Sequence, residues 1–195
     1  MRIVQIILLI SAAILVACAA AKACISRWGG NFKKLCIIGC TLSALAIIAS
    51  ICLHGIGMRN IQTILLCGIF LYASYGDAKV HEADDIIHIL VLAVSLLTMK
   101  LDRLPECLLS AALMGGTLML TAVLLRGSGV GGADMKFAAA CAFLFPLFSG
   151  LMGLLLGCFA AMILNPPFRD KEGEKKWYAM LPYLSCSFML VFLLS

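Results

Sequence analysis

Leu35-Cys-Ile-Ile-Gly-Cys-Thr-Leu-Ser-Ala-Leu-Ala-Ile-Ile-Ala-Ser-Ile-Cys-Leu-His54 carries no Asp, Glu, Lys or Arg, and Lys33-Lys34 stand directly before it. A helix of about twenty residues is about 30 Å long, the thickness of the hydrocarbon core of a bilayer. Water is the wrong solvent for such a helix, and lipid is the right one. Comparable apolar runs recur along the chain, bounded by polar residues, Gly or Pro. They predict eight helices, at roughly 3–21, 35–54, 61–76, 85–99, 107–125, 134–146, 148–164 and 177–194. The sixth and seventh could be fused into one long helix, but Pro146 and Ser149-Gly150 favour a break.

Composition agrees. Of 195 residues, 63% are hydrophobic and 13% charged, with a mean hydropathy of +1.08, whereas soluble domains are about one quarter charged. The expected fold is therefore an all-α polytopic transmembrane bundle of about eight spans, with no room for a separate soluble domain. Its net charge of +5 is spread over short loops between apolar runs rather than along one basic face, which argues against nucleic acid and for topology signals. With an external N-terminus, eight spans leave Lys22, Arg27, Lys33, Lys34, Lys79, Arg126, Lys136, Arg169, Lys171, Lys175 and Lys176 inside. Only Arg2, Arg59, Lys100 and Arg103 fall outside. Fusing the sixth and seventh spans would export the loop that holds Arg169 to Lys176, so the split reading is preferred.

The first twenty residues could pass for a signal peptide ending near Ala17-Cys18-Ala19-Ala20. The run is long, its basic n-region is the single Arg2, and Lys22, Arg27, Lys33 and Lys34 follow it. These features favour a retained anchor. The ten cysteines are scattered through apolar runs and read as small buried hydrophobes rather than a disulfide framework. Gly153-Leu-Leu-Leu-Gly157, Ala111 with Gly115, and Ala112 with Gly116 are small residues at four-residue spacing, a packing signal in lipid.

Carboxylates near transmembrane helices are costly and mark hydrated or functional positions. Asp77 closes the third run, in Leu71-Tyr-Ala-Ser-Tyr-Gly-Asp77, and Asp134 opens the sixth, in Gly131-Gly132-Ala133-Asp134-Met135-Lys136. The charge-based topology puts both at cytoplasmic helix ends on different helices. Two such carboxylates that meet would share one proton, one activating a water while the other protonates a peptide carbonyl. Gly127, Gly129, Gly131 and Gly132 would let the chain turn and let a substrate backbone approach. The plain alternatives are that Asp134 caps a helix and that Asp77 is a solvated residue ending a span. A rival set is His81 with Asp84 or Asp85 and His88, which would share one helix face and could bind a transition metal for a transporter. The Arg169–Lys176 run reads as a solvated loop that could touch anionic lipid or a basic leader.

From residue 61 onward the sequence resembles the type IV prepilin peptidases, in particular the short forms serving Tad or Flp-type pili. Residues 1–60 would then be two N-terminal transmembrane helices with a basic cytoplasmic loop, and residues 61–195 the six-helix peptidase core. In that family one catalytic aspartate follows a span, as in Asp77-Ala-Lys79-Val, and a second lies in a GxGD motif followed by Lys, as in Gly131-Gly132-Ala133-Asp134-Met135-Lys136. Met180-Leu-Pro182-Tyr-Leu184 is similar to the proline-containing start of the family's last span. Here Ala133 replaces the second Gly of GxGD. Ala83-Asp84-Asp85 replaces the usual Ile-Pro-Asn, which admits Asp84 and Asp85 as rivals to Asp77.

The resemblance implies a multi-pass protein of the cytoplasmic membrane, an aspartic endopeptidase with Asp77 and Asp134 as its dyad. Its partners would be a prepilin or pilin-like substrate and the lipid bilayer, with a homo-oligomer left open. Long members also bear two paired-cysteine motifs that bind zinc beside an N-methyltransferase activity. Cys36 and Cys40 are four apart in an apolar run, and the loop from 22 to 34 holds only Cys24. No metal and no cofactor are therefore expected. The alternatives are a GxGD intramembrane protease with other substrates and a non-enzymatic transporter or assembly subunit.

Overall fold

The computed structural model describes residues 2–81, 83–124, 131–164 and 179–195. These form eight α-helices: α1 (Arg2–Trp28), α2 (Phe32–His54), α3 (Met58–Val80), α4 (Asp85–Leu96), α5 (Leu104–Leu124), α6 (Gly132–Cys141), α7 (Leu147–Leu164) and α8 (Leu181–Leu194). Two short 3₁₀ turns, Leu101–Arg103 and Ala142–Leu144, precede α5 and follow α6. No strand occurs among the described residues. Five helices, α1, α2, α3, α7 and α5 with its leading 3₁₀ turn, are long and apolar enough to cross a membrane, and α4 and α8 are shorter apolar helices. The chain is a multi-pass membrane protein. Side chains such as Leu15, Leu45 and Phe159 lie exposed along these helices, where hydrocarbon replaces water as their neighbour.

Local chemistry sets the helix limits. Gly29 ends α1 at φ +69°, its N–H bonded 2.9 Å to the Ile25 carbonyl, and Asn31 caps α2 by accepting from the Lys34 N–H at 3.1 Å. Gly55, at φ +75°, ends α2 in the same way. The break expected at Pro146 is present. Phe145 is extended, as a residue before proline prefers, and α7 starts at Leu147. Pro182 stands in the first turn of α8, where its missing N–H costs nothing.

The third helix is longer than expected at both ends, because its polar terminal residues are satisfied by neighbouring helices. Asn60 is fully buried, accepts from Ser50 Oγ at 2.6 Å and donates to the Gly55 carbonyl at 2.9 Å. Gln62 Nε2 donates to the Val94 carbonyl and to Thr98 Oγ1, both at 2.9 Å. At its other end α3 runs on to Val80, so Asp77 lies inside the last turn rather than beyond the helix. The first helix likewise continues through Lys22 and Arg27 to Trp28.

The main core lies between α3, α4, α5, α6, α7 and α8. Its spine is a run of rings: Phe70 against Phe137 (centroids 5.4 Å apart), Phe137 against Phe188 (6.2 Å), Phe188 against Phe145 (5.8 Å) and Phe145 against Phe192 (6.2 Å). Small residues set the close approaches. A Cβ on Gly153 would lie 2.7 Å from Phe188 Cδ1, and one on Gly157 2.7 Å from Ser187 Oγ and 2.8 Å from Leu184 Cδ2, so the Gly153–Gly157 pair seats α7 on α8. Gly115 meets Ala139 of α6, whereas Gly116 has nothing within 4 Å and takes no part.

All ten cysteines are free thiols, but only Cys24, Cys107 and Cys141 are buried; Cys52 and Cys186 are exposed and the rest half-buried. The expectation of mostly buried cysteines is corrected accordingly. The reason is geometric: a helix in lipid can turn thiols outward, since hydrocarbon accepts them as readily as a protein core does.

Candidate active site

Five helix ends, of α1, α3, α4, α6 and α8, gather at one end of the bundle. The hydroxyl of Tyr75 in α3 donates to the Gly29 carbonyl after α1 at 2.7 Å. Arg27 of α1 forms a 2.6 Å ion pair with Asp84 before α4, and Lys136 of α6 a 2.7 Å pair with Asp85 of α4. The N-terminus of α8 meets α3 through Asp77. At the opposite end, His54 Nε2 lies 2.8 Å from the Leu193 carbonyl and Arg59 bonds the Phe192 carbonyl. The ends of α1 and α3 and the starts of α4, α6 and α8 thus share one level of the bundle, and the start of α3 and the end of α8 the other.

Asp77 and Asp134 both lie at the gathered end, and both are buried, at 7% and 6% exposure. The chain locks Asp77 from three sides. Its neighbour Gly76 is pressed against Trp28, where a Cβ would fall 2.7 Å from the indole. Trp28 in turn packs on Tyr72, with centroids 4.8 Å apart. The carboxylate accepts the Leu181 N–H through Oδ2 at 2.8 Å, with the Met180 N–H also in reach. The α8 N-cap residue Met180 supplies no side-chain cap of its own. Asp77 fills that role from another helix, at the positive end of the α8 dipole.

Asp134 is the third residue of α6, and its Oδ2 reaches back to accept the Gly131 N–H at 2.9 Å. Its Oδ1 is buried with no hydrogen-bond partner. A buried carboxylate oxygen with no donor is costly, and Asp77 lies within electrostatic reach of it. Two acidic side chains 57 positions apart in sequence are therefore both buried at this end, within reach of each other's charge. One oxygen of each is fixed by a backbone N–H, and one oxygen of Asp134 is left for a third party.

The motif loop acts differently from its sequence reading. Gly131 has an ordinary extended backbone and Gly132 is helical, so neither uses the freedom special to glycine; Gly127 and Gly129 lie outside the described residues. What Gly131 provides is clearance, since a Cβ there would sit 3.2 Å from Asp134 Oδ2. Ala133 is helical with negative φ, which is why its methyl fits where the motif has glycine. Lys136 faces out to Asp85, both side chains well exposed, and ties α6 to α4.

The rival residues are occupied or apart. Asp84 is held by Arg27 and by the Tyr72 hydroxyl at 2.9 Å, and Asp85 by Lys136. His81 is not on the same helix as His88, because α3 ends in a left-handed His81 (φ +54°) and α4 starts at Asp85. Among the described residues His81, Asp84, Asp85 and His88 form no metal-ligating cluster. His88 is buried with its ring edge toward Phe137 and both nitrogens unpartnered. The Arg169–Lys176 loop lies outside the described residues.

Sequence reasoning missed the α8 N-terminus as the partner of Asp77 and the Arg27–Asp84–Tyr72 cluster. The first had a signal, since Pro182 marks a helix start and helix starts attract carboxylates. The second had none, because 57 positions separate Arg27 from Asp84.

A family model described as the type IV leader peptidase family matches residues 64–165, a segment that holds both Asp77 and Asp134. The chain belongs to this family. It is accordingly a peptidase of a membrane-embedded kind, and leader peptides of pilin-like proteins are the substrates the family implies. No curated protein and no solved structure matches the chain.

Proposed function

We propose that this leader peptidase is an aspartic endopeptidase in which Asp77 and Asp134 act as one dyad, removing the leader of type IV prepilins or pilin-like proteins at the cytoplasmic face of the membrane. The observation that carries the proposal is the buried, unpartnered Asp134 Oδ1 within electrostatic reach of the Asp77 carboxyl. Two such groups hold a single proton between them. The ionised oxygen takes a proton from a water as that water attacks the scissile carbonyl, and the protonated partner gives its proton to the carbonyl oxygen. The backbone bonds from Leu181 and Gly131 keep the other oxygens still, so orientation is set before substrate arrives. Neither a nucleophilic side chain nor a metal enters these steps.

Charge supports the choice of face. Among the described residues, Lys22, Arg27, Lys33, Lys34, Lys79 and Lys136 lie toward the dyad end, against Arg2, Arg59, Lys100 and Arg103 toward the other. By the positive-inside rule the dyad end is cytoplasmic and the N-terminus external. An apolar groove between α1, α3 and α4, lined by Ala19, Ala23, Gly68 and Leu90 among others, runs up to Tyr72. Asp77 is five residues, about 7.5 Å, further along α3. The apolar helix of a prepilin laid in that groove would present the junction with its basic leader to the dyad.

Co-expression with a prepilin tests this. Asp77→Asn and Asp134→Asn should each accumulate in the membrane and leave the leader uncut. Normal cleavage by either variant overturns the dyad. Cleavage of unrelated membrane proteins in preference to prepilins would move the chain to the intramembrane-protease reading.

A further inference from the structure

We propose that Cys18, Cys36 and Cys40 form a three-sulfur site for a soft d¹⁰ metal ion, in the contact between α1 and α2 and apart from the dyad. Cys36 and Cys40 are one turn apart on one face of α2, and Cys18 meets them from α1. The three Sγ···Sγ separations are 3.3, 3.6 and 3.9 Å. All three side chains are half-buried. Ala17 of α1 lies 3.7 Å from where a Cβ on Gly39 would fall, so the two helices are in van der Waals contact beside the sulfurs.

The triangle has the dimensions of a metal site. A circle through three points with those separations has a radius of about 2.1 Å. A metal with bonds of about 2.3 Å to sulfur would stand about 1 Å above the sulfur plane. A regular tetrahedral site at that bond length has its metal about 0.8 Å above the plane of any three ligands. Three corners of a tetrahedron are thus in place and the fourth is open. The Ile14 carbonyl lies 3.9 Å from Cys40 Sγ.

Position selects the ion. Cys18 lies ten residues, about 15 Å, from the Trp28 end of α1, while Cys36 stands in the second turn of α2, about 6 Å from its start, so the site lies in the outer half of the spans, where uncompensated charge is still costly. Thiols yield their protons to water as the metal binds. Displacement of two protons by Zn(II), or of one by Cu(I), leaves a neutral centre. Soft sulfur donors favour these ions over Mg(II) or Ca(II). The paired-cysteine zinc loop of long peptidases is a different feature, built in a loop from four cysteines.

The test uses the full chain, reduced and purified in detergent without oxygen, titrated separately with Zn(II) and Cu(I), with metal content and thiol alkylation as readouts. Wild-type protein should take up one equivalent of at least one of these ions more than a Cys18→Ser/Cys36→Ser/Cys40→Ser variant. The three thiols should be protected from alkylation, and the thermal midpoint should rise with metal. Each single serine variant should lose at least about tenfold in affinity, while Cys52→Ser and Cys186→Ser bind as wild type. If the serine variants do not accumulate, Cys18→Ala keeps an apolar contact and serves in their place. Equal uptake by wild type and triple variant, or full alkylation of the three thiols at saturating metal, overturns the site.

Discussion

On the proposed mechanism Asp77 has two jobs, one structural and one chemical, and alanine and asparagine separate them. Asp77→Ala removes the acceptor of the Leu181 N–H, a 2.8 Å bond at a position 7% exposed. A buried donor left without a partner costs about 1–3 kcal/mol, and the same loss uncaps α8. Asp77→Asn has the same length, and its amide oxygen can accept the bond. A neutral hydrogen bond contributes about 0.5–1.5 kcal/mol where a charged one contributes about 1.5–3 kcal/mol, so asparagine should keep roughly half of the stabilisation. For the chemistry the two substitutions are equivalent, because neither side chain exchanges the proton. General acid–base catalysis by one positioned group is worth about 10²–10⁴ in rate. Thermal unfolding in detergent, paired with cleavage of a synthetic peptide carrying a basic leader and an apolar helix, reads both effects. Stability should fall from wild type to asparagine to alanine, while both variants cleave at about a hundredth of the wild-type rate or less. Asparagine cleaving like wild type would refute the chemical role, and alanine as stable as wild type would refute the cap.

Asp84→Asn should leave leader removal near wild type, because that carboxylate is engaged by Arg27 and Tyr72 rather than by the dyad; abolished cleavage in a correctly inserted variant would transfer the catalytic assignment to Asp84. Gly157→Leu should sharply reduce the folded yield, since even its Cβ would lie 3.2 Å from the Leu184 Cα, which cannot swing aside. Gly116→Ala should change unfolding by less than about 0.5 kcal/mol, having open space around it. Equal yields for these two variants, measured by membrane extraction and size-exclusion chromatography, would contradict the account of the α7–α8 contact.

The helices were legible in the sequence because each apolar run is a physical requirement of lipid, and Pro146 marks a break that backbone geometry enforces. Helix ends were less so. Asn60 falls just before the helix expected from 61, yet it is buried within α3 because Ser50 and Gly55 satisfy it. Polarity in a membrane chain therefore does not mark a helix end when another helix can take the hydrogen bonds. The two carboxylates stood out as charges out of place. Their surroundings did not, because Leu181 is 104 positions from Asp77 and nothing local announces the meeting. The cysteines show the same limit: the spacing of Cys36 and Cys40 puts them on one face, and only the packing of α1 supplies Cys18.

The bond from Leu181 to Asp77 joins a helix made early in synthesis to one made late. A ribosome that has delivered α3 through α7 has built both carboxylates but not the helix start that holds one of them in place. On the proposed mechanism, the nascent chain gains a fixed dyad only after α8 has been inserted and docked. On that mechanism peptide-bond cleavage waits for α8, the helix whose first N–H groups hold the Asp77 carboxylate.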